Sequence, residues 1–229
     1  MRFSLAGVLG LNAGYVDAAG YLALKGLFTA HVTGNFVTLG ASLVLGTSGA
    51  LAKLLALPVF CAVIVVTRLV AFRLEARGHR ALRTMLVLQT VLLAVAALVA
   101  ARFGPFGDVD EAPALTVGMT LVSAMAIVNA AQRIHLSKSP PLTIMTGNTT
   151  QIMIDLADWL AHRVPGLVPE VRTRIRRMTA SVLVFATGCA VGALAYAWLG
   201  TWCFCVPVLL ALSTSMMRES HSDPESLNP

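Results

Sequence analysis

The chain has 229 residues, of which 57% are hydrophobic and only 12% charged, with a formal net charge of +6. A soluble domain carries about 25% charged residues, so this chain lacks the polar surface to cover a water-exposed core, and an ordinary soluble fold is excluded. The basic excess does not indicate nucleic acid either. Arg73, Arg77, Arg80 and Arg83 form one cluster between apolar runs, Arg163, Arg172, Arg174, Arg176 and Arg177 another, and the positive-inside bias of membrane proteins accounts for both.

A membrane span needs about 20 mostly apolar residues. The first such run, 3–24, covers roughly 22 residues, longer than the roughly 7–15 of a signal-peptide core. It also carries Asp17, so it is read as a retained first helix. Gly7, Gly10, Gly14 and Asp17 share one helical face, which Tyr21 continues. Small residues admit a second helix, so this face is packed. A carboxylate inside a span costs about 2.5–3.5 kcal/mol on insertion scales. Asp17 is therefore the leading functional candidate, a group for binding a cation or proton; its structural alternative is a buried acid bonded to a hydroxyl, an amide or an arginine.

The next apolar piece, 28–47, contains His31, read as a cap partner or a proton carrier, and then Thr33, Gly34 and Asn35. A glycine beside two capping residues marks a helix break or start. About 11 residues follow Asn35 before Gly46, roughly 17 Å of helix, or half a bilayer. The run 54–72 spans; Arg68 lies near its end and is read as reaching for the surface rather than pairing with Asp17. Runs 84–102 and 114–134 span on either side of an acidic loop with Asp108, Asp110 and Glu111. The second carries Asn129, on a face with Met125, Val122 and Gly118. The piece 141–161 repeats the tripeptide as Thr146, Gly147 and Asn148. Run 179–199 spans, with Gly188 and Gly192 read as a helix contact, and the shorter run 202–217 spans last.

Charge placement decides how the two tripeptide pieces sit. The basic loops near 73–83 and 163–177 are both expected inside, and the acidic loop outside. If 141–161 crossed the membrane, the second basic loop would be forced outside. The expectation is six transmembrane helices plus two re-entrant half-helices, with both termini cytoplasmic; eight full spans would strand one basic loop on the wrong face.

Aligning the tripeptides pairs Asn35 with Asn148, Thr38 with Gln151 and Ser42 with Asp155, one face of a helix in each half. In the second half Asp158 and His162 extend that polar stripe, and a one-residue gap pairs Asp17 with Asn129. Each half holds three spans, so the halves face opposite ways, the inverted 3+3 repeat of many secondary transporters. The whole chain is read as one all-α membrane domain, with repeat A at about 1–103, repeat B at about 113–218 and a polar tail at 219–229. Two half-helices entering from opposite faces direct their amide ends toward the midplane. The expected solute site comprises Asp17, His31, Thr33, Asn35, Thr38, Asn129, Thr146, Asn148, Gln151 and Asp155.

Cys61, Cys189, Cys203 and Cys205 lie in apolar stretches and read as small hydrophobes; no metal site or cofactor is expected. Enzyme signatures such as Gly-x-Ser-x-Gly, His-Glu-x-x-His or a phosphate-binding loop are absent, and a non-enzyme is expected.

The segment Gly14, Tyr15, Val16, Asp17, Ala18, followed by Phe28, Thr29, Ala30, His31, Val32, Thr33, Gly34, Asn35, resembles the YoaK-like family, bacterial multispanning proteins classed as a domain of unknown function. Met145, Thr146, Gly147 and Asn148 match its second motif, while Asn129 and Ala130 keep only the end of a Gly-Met-Gln-Asn-Ala segment. The resemblance covers nearly the whole chain and implies a bacterial inner-membrane location. The resulting expectation is a secondary transporter or exporter of a small solute, coupled through Asp17. Its alternatives are a channel-like pore or a non-transport scaffold, and its partners are the lipid bilayer, the solute and a second copy in a dimer.

Overall fold

The computed structural model describes residues 4–137, 139–161 and 169–217. His162, Arg163, Lys138 and the polar tail lie outside the described residues. Eight α-helices occur in them: α1 (Leu5–Ala23), α2 (Asn35–Leu45), α3 (Ala50–Ala76), α4 (Ala81–Phe103), α5 (Ala112–His135), α6 (Met145–Leu160), α7 (Pro169–Leu199) and α8 (Cys205–Met216). Among the described residues, α3, α4, α5 and the stretch Pro169–Met216 are long and apolar enough to cross a membrane. α1 has 19 residues, a length of about 28 Å, and carries Asn12 and Asp17 within it.

Three boundaries differ from the sequence expectation. α7 begins at Pro169, so Arg172, Arg174, Arg176 and Arg177, expected in a loop, lie on the first turns of the helix. The tripeptides do not start their helices in the same way. Val32–Gly34 forms a 3-10 turn and α2 begins at Asn35, whereas α6 begins at Met145 and takes Thr146 and Gly147 into its first turn. The final span is also compound. Gly200, at φ +55°, ends α7 in the left-handed region that glycine tolerates; a 3-10 turn over Gly200–Phe204 follows, and α8 has only 12 residues.

α1 is the interior helix, and it lies against α7 through glycines. A Cβ on Gly188 would stand 2.2 Å from the Leu11 carbonyl oxygen, and one on Gly14 would stand 2.2 Å from that of Phe185. These positions therefore let the two backbones touch, as small residues do in membrane helix pairs. α5 packs on α3 and α4, and α8 on α1 and α4. The outside is apolar: Val44 is 86% and Leu98 72% exposed.

The two short helices are inside out. On α2, Asn35 and Ser42 are buried while Phe36, Val37, Leu43, Val44 and Leu45 face outward. On α6, Asn148 and Asp155 are buried while Met153, Ile154 and Leu160 face outward. A helix in water does the reverse.

Contacts define two ends of the bundle. At one, Asp110 accepts the Gly49 and Ala52 N–H groups at 3.0 and 3.1 Å, and Lys25 Nζ donates to the Gly107 carbonyl. At the other, Leu5, Arg80, Arg83, Thr214 and Met217 surround a cavity of about 420 Å³, and Glu75 lies 4.0 Å from His135.

Candidate functional site

Asp17 organises the chain that follows α1. Leu24 to Gly26 close the helix: Gly26 turns at φ +93°, and its N–H returns to the Tyr21 carbonyl at 2.8 Å. The chain then passes back alongside Asp17. Asp17 Oδ1 accepts the N–H groups of Thr29 and Ala30 at 2.8 and 2.7 Å, with the Thr29 hydroxyl and the His31 N–H at 3.4 Å each. Oδ2 meets His31 Nδ1 at 2.8 Å. Asp17 is only 4% exposed, enclosed by these peptide groups and one imidazole, and it does not face open space. His31 does: its side chain is 34% exposed, and its ring sits edge-on to Phe185 with centroids 5.1 Å apart.

Asn35 ties the same loop at its far side. Its Oδ1 accepts the Phe28 N–H at 2.9 Å, and its Nδ2 donates to the Phe28 carbonyl at 2.8 Å. One side-chain amide thus replaces a missing strand partner for one peptide.

The second half repeats the plan with weaker parts. Asn129 Oδ1 accepts the Thr143 hydroxyl at 2.8 Å, and its Nδ2 donates to the Met125 carbonyl at 2.9 Å. Asn148 Nδ2 donates to the Pro141 carbonyl at 3.0 Å. Proline has no N–H to return, so the reciprocal bond made by Asn35 has no counterpart.

Farther along each short helix, one residue locks to the helix that follows. Lys53 Nζ of α3 donates to Ser42 Oγ at 2.8 Å and to the Lys25 carbonyl at 3.0 Å. Arg174 of α7 grips Asp155 with two bonds, at 2.8 and 2.6 Å, and Gln151 adds a third at 2.9 Å. These hydrogen bonds, the arginine's foremost, hold the Asp155 carboxyl below its ordinary pKa.

Both tripeptide loops line one cavity of about 610 Å³. Its polar lining comes from His31, Thr33, Asn129, Thr143, Thr146, Arg68 and Arg133, and its apolar wall includes Leu57, Phe60 and Ile64. Of the ten residues expected at the site, the structure brings His31, Thr33, Asn129 and Thr146 to this cavity, with Asp17 directly behind His31. Asn35 and Asn148, expected to face the solute, turn instead into their own loops, because each side-chain amide completes a backbone bond there. Thr38 stays on α2 near the Asn35 carbonyl, at 3.5 Å. Asp155 is taken by Arg174, and Gln151 donates to the same carboxylate. These five do not line the cavity.

Sequence reasoning missed Thr143, Arg133 and Lys53, and it placed Arg68 only as a surface-seeking group. Arg68 lines the cavity with its guanidinium 3.8 Å above the Phe72 ring. Lys53 had a partial signal, a lone lysine at the edge of the apolar run 54–72; its burial, at 3% exposed, appears only in the fold. Thr143 had none, because tripeptide alignment sets it against Ala30.

The described residues are all-helical, with apolar helices of membrane-crossing length and two short helices whose polar faces point inward, the make-up of a multi-helix membrane protein. Within that class, this chain belongs to the family described as "Protein of unknown function (DUF1275)", whose match runs over residues 5–217. No curated protein and no solved structure gives a match.

Proposed function

We propose that the protein is a secondary transporter of a small solute. The observation that carries this reading is that Thr33 and Thr146, one from each tripeptide loop, line the same cavity. In this reading α1, α3, α4, α5, α7 and α8 span, while α2 and α6 are the returning arms of two re-entrant hairpins in an inverted repeat.

Depth along the helices supports the hairpins. Thr33 shares the cavity with Leu57, Phe60 and Ile64, about 10–20 Å along α3 from its Ala50 start at 1.5 Å per residue. α2 then returns to Lys53, near the end it left. Thr146 shares the cavity with Asn129, six residues or about 9 Å before the end of α5, and α6 returns to Arg174. Backbone that is not helical at membrane depth needs protein or water around it, and here a cavity lies beside it.

The termini are cytoplasmic and the membrane is the bacterial inner membrane, following the arginine clusters at the end that holds Arg80 and Arg83. The protein is non-enzymatic and works as a homodimer, whose second copy covers the outward faces of α2 and α6. Asp17 and His31 form the coupling unit: the carboxylate fixes the imidazole at the cavity wall, where a proton on the pair alters what the cavity accepts.

A panel of labelled solutes, tested on purified protein in liposomes with and without a pH gradient, is the decisive assay. Saturable flux that Asp17→Asn abolishes without unfolding supports the carrier. Flux too fast for a carrier and tolerant of that change indicates a pore, and absence of flux with a copurifying partner indicates a scaffold; either result overturns the proposal.

A further inference from the structure

The cavity has a charge pattern that narrows its ligand. Its lining contains two arginines and a histidine but no aspartate or glutamate. Among the described residues, no carboxylate lies within ion-pair reach of Arg68 or Arg133; the ion pairs formed there are His31–Asp17, His135–Glu75 and Arg174–Asp155. The Phe72 ring steadies the Arg68 guanidinium through its π face at 3.8 Å, a contact that leaves the in-plane N–H donors unused. Asp17, the nearest buried acid, directs both oxygens into the 29–31 loop and not into the cavity.

One further feature has the same sign. α6, of 16 residues, begins at this cavity with Met145 and Thr146, and α2, of 11, begins two residues after Thr33, so the positive end of the α6 dipole lies at it. Thr33, Thr143, Thr146 and Asn129, all polar and uncharged, complete its polar lining. Leu57, Phe60, Ile64 and Ile134 supply its apolar lining.

We infer that this cavity binds a small organic anion, with a carboxylate-type head at Arg68 and Arg133 and an apolar body against Leu57, Phe60 and Ile64. This inference names the substrate class of the transport reading and rests on that reading for the anion being cargo. A planar guanidinium matches a carboxylate with two parallel bonds, so the pair selects charge sign and head shape. The aliphatic wall selects only for bulk.

The test uses three isosteric probes on unaltered protein in phosphatidylcholine nanodiscs: benzoate, benzamide and benzamidinium, titrated calorimetrically against empty discs. Benzoate is expected to bind at least about tenfold tighter than benzamide, the size of one charge-assisted bond, and benzamidinium weakest of all. The Arg68→Gln/Arg133→Gln double variant is expected to lose that preference while melting like the parent protein. Equal binding of the three probes overturns the inference, and this comparison needs no variant to fold. Benzoate affinity unchanged in a folded double variant also overturns it, since the arginines would then serve only the membrane surface. Displacement of benzoate by phosphatidylglycerol in the disc, with none by soluble acetate, overturns the assignment to a soluble solute. Benzoate binding without flux in liposomes contradicts the transport reading and leaves the anion site standing; cation flux without benzoate binding does the opposite.

Discussion

The two tripeptide loops solve one problem with unequal means. In the first half a carboxylate, Asp17, gathers two close backbone N–H groups and an imidazole. In the second half a neutral amide, Asn129, holds one hydroxyl. The first loop is also tied reciprocally by Asn35 to Phe28, while the second has a single bond from Asn148 to Pro141. The comparison separates what a re-entrant loop needs from what this protein adds. A side chain that satisfies the returning backbone is common to both halves, and the charge is confined to one.

The largest expected difference comes from truncating the two hubs. Asp17→Ala leaves the Thr29 and Ala30 N–H groups buried without acceptors, each worth about 1–3 kcal/mol. Asn129→Ala frees the Thr143 hydroxyl and one bond to the Met125 carbonyl, and leaves no backbone N–H without an acceptor. Melting in detergent should show Asp17→Ala several degrees or more below Asn129→Ala; equal losses would erase the asymmetry.

A smaller contrast is expected between Asn35→Ala and Asn148→Ala. The first removes two bonds and the second one, so Asn35→Ala should cost more by one net hydrogen bond, about 0.5–1.5 kcal/mol. Denaturant titration of both variants in the same micelle measures this, and the reverse order would count against the loop-bracing role of Asn35.

The smallest expected effect depends on pH. Asp155, depressed by Arg174, contributes stability above the ordinary aspartate pKa of about 3.9, and the contribution fades as pH falls through the lowered folded value. The first-half lock, Lys53 to Ser42, contains no carboxylate. Arg174→Gln should therefore flatten the acid side of the stability profile, by less than a buried pair would because the Arg174 side chain is 45% exposed. An unchanged acid limb would show that the pair does not contribute.

Much of the arrangement was legible in the residues. The apolar runs and their lengths located all eight helices, and the i, i+3, i+7 spacing found the face of α2 and of α6 that turns inward. Spacing does not say what a polar face meets. Asn35 and Asn148 looked like groups offered to a solute because their partners, Phe28 and Pro141, are backbone atoms of residues with no polar side chain. Asp155 looked equally available until the fold brought Arg174 from the next helix. Arg68 and Arg133, distant in sequence, became cavity groups only through the packing of α3 on α5. Asp17 is buried, and its partners are peptide groups of the loop after α1 and the His31 imidazole, which residue spacing does not reveal.

The central claim, that α2 and α6 return to opposite faces of the membrane, is tested most directly by side-specific labelling. In a cysteine-free background, single cysteines at Thr47, just after α2, and at Glu170, at the start of α7, are exposed to a membrane-impermeant thiol reagent in intact cells and in inverted vesicles. The account predicts that Thr47→Cys reacts only from outside and Glu170→Cys only from inside. Reaction of both from the same side would mean that α2 and α6 cross the membrane completely, and would contradict it.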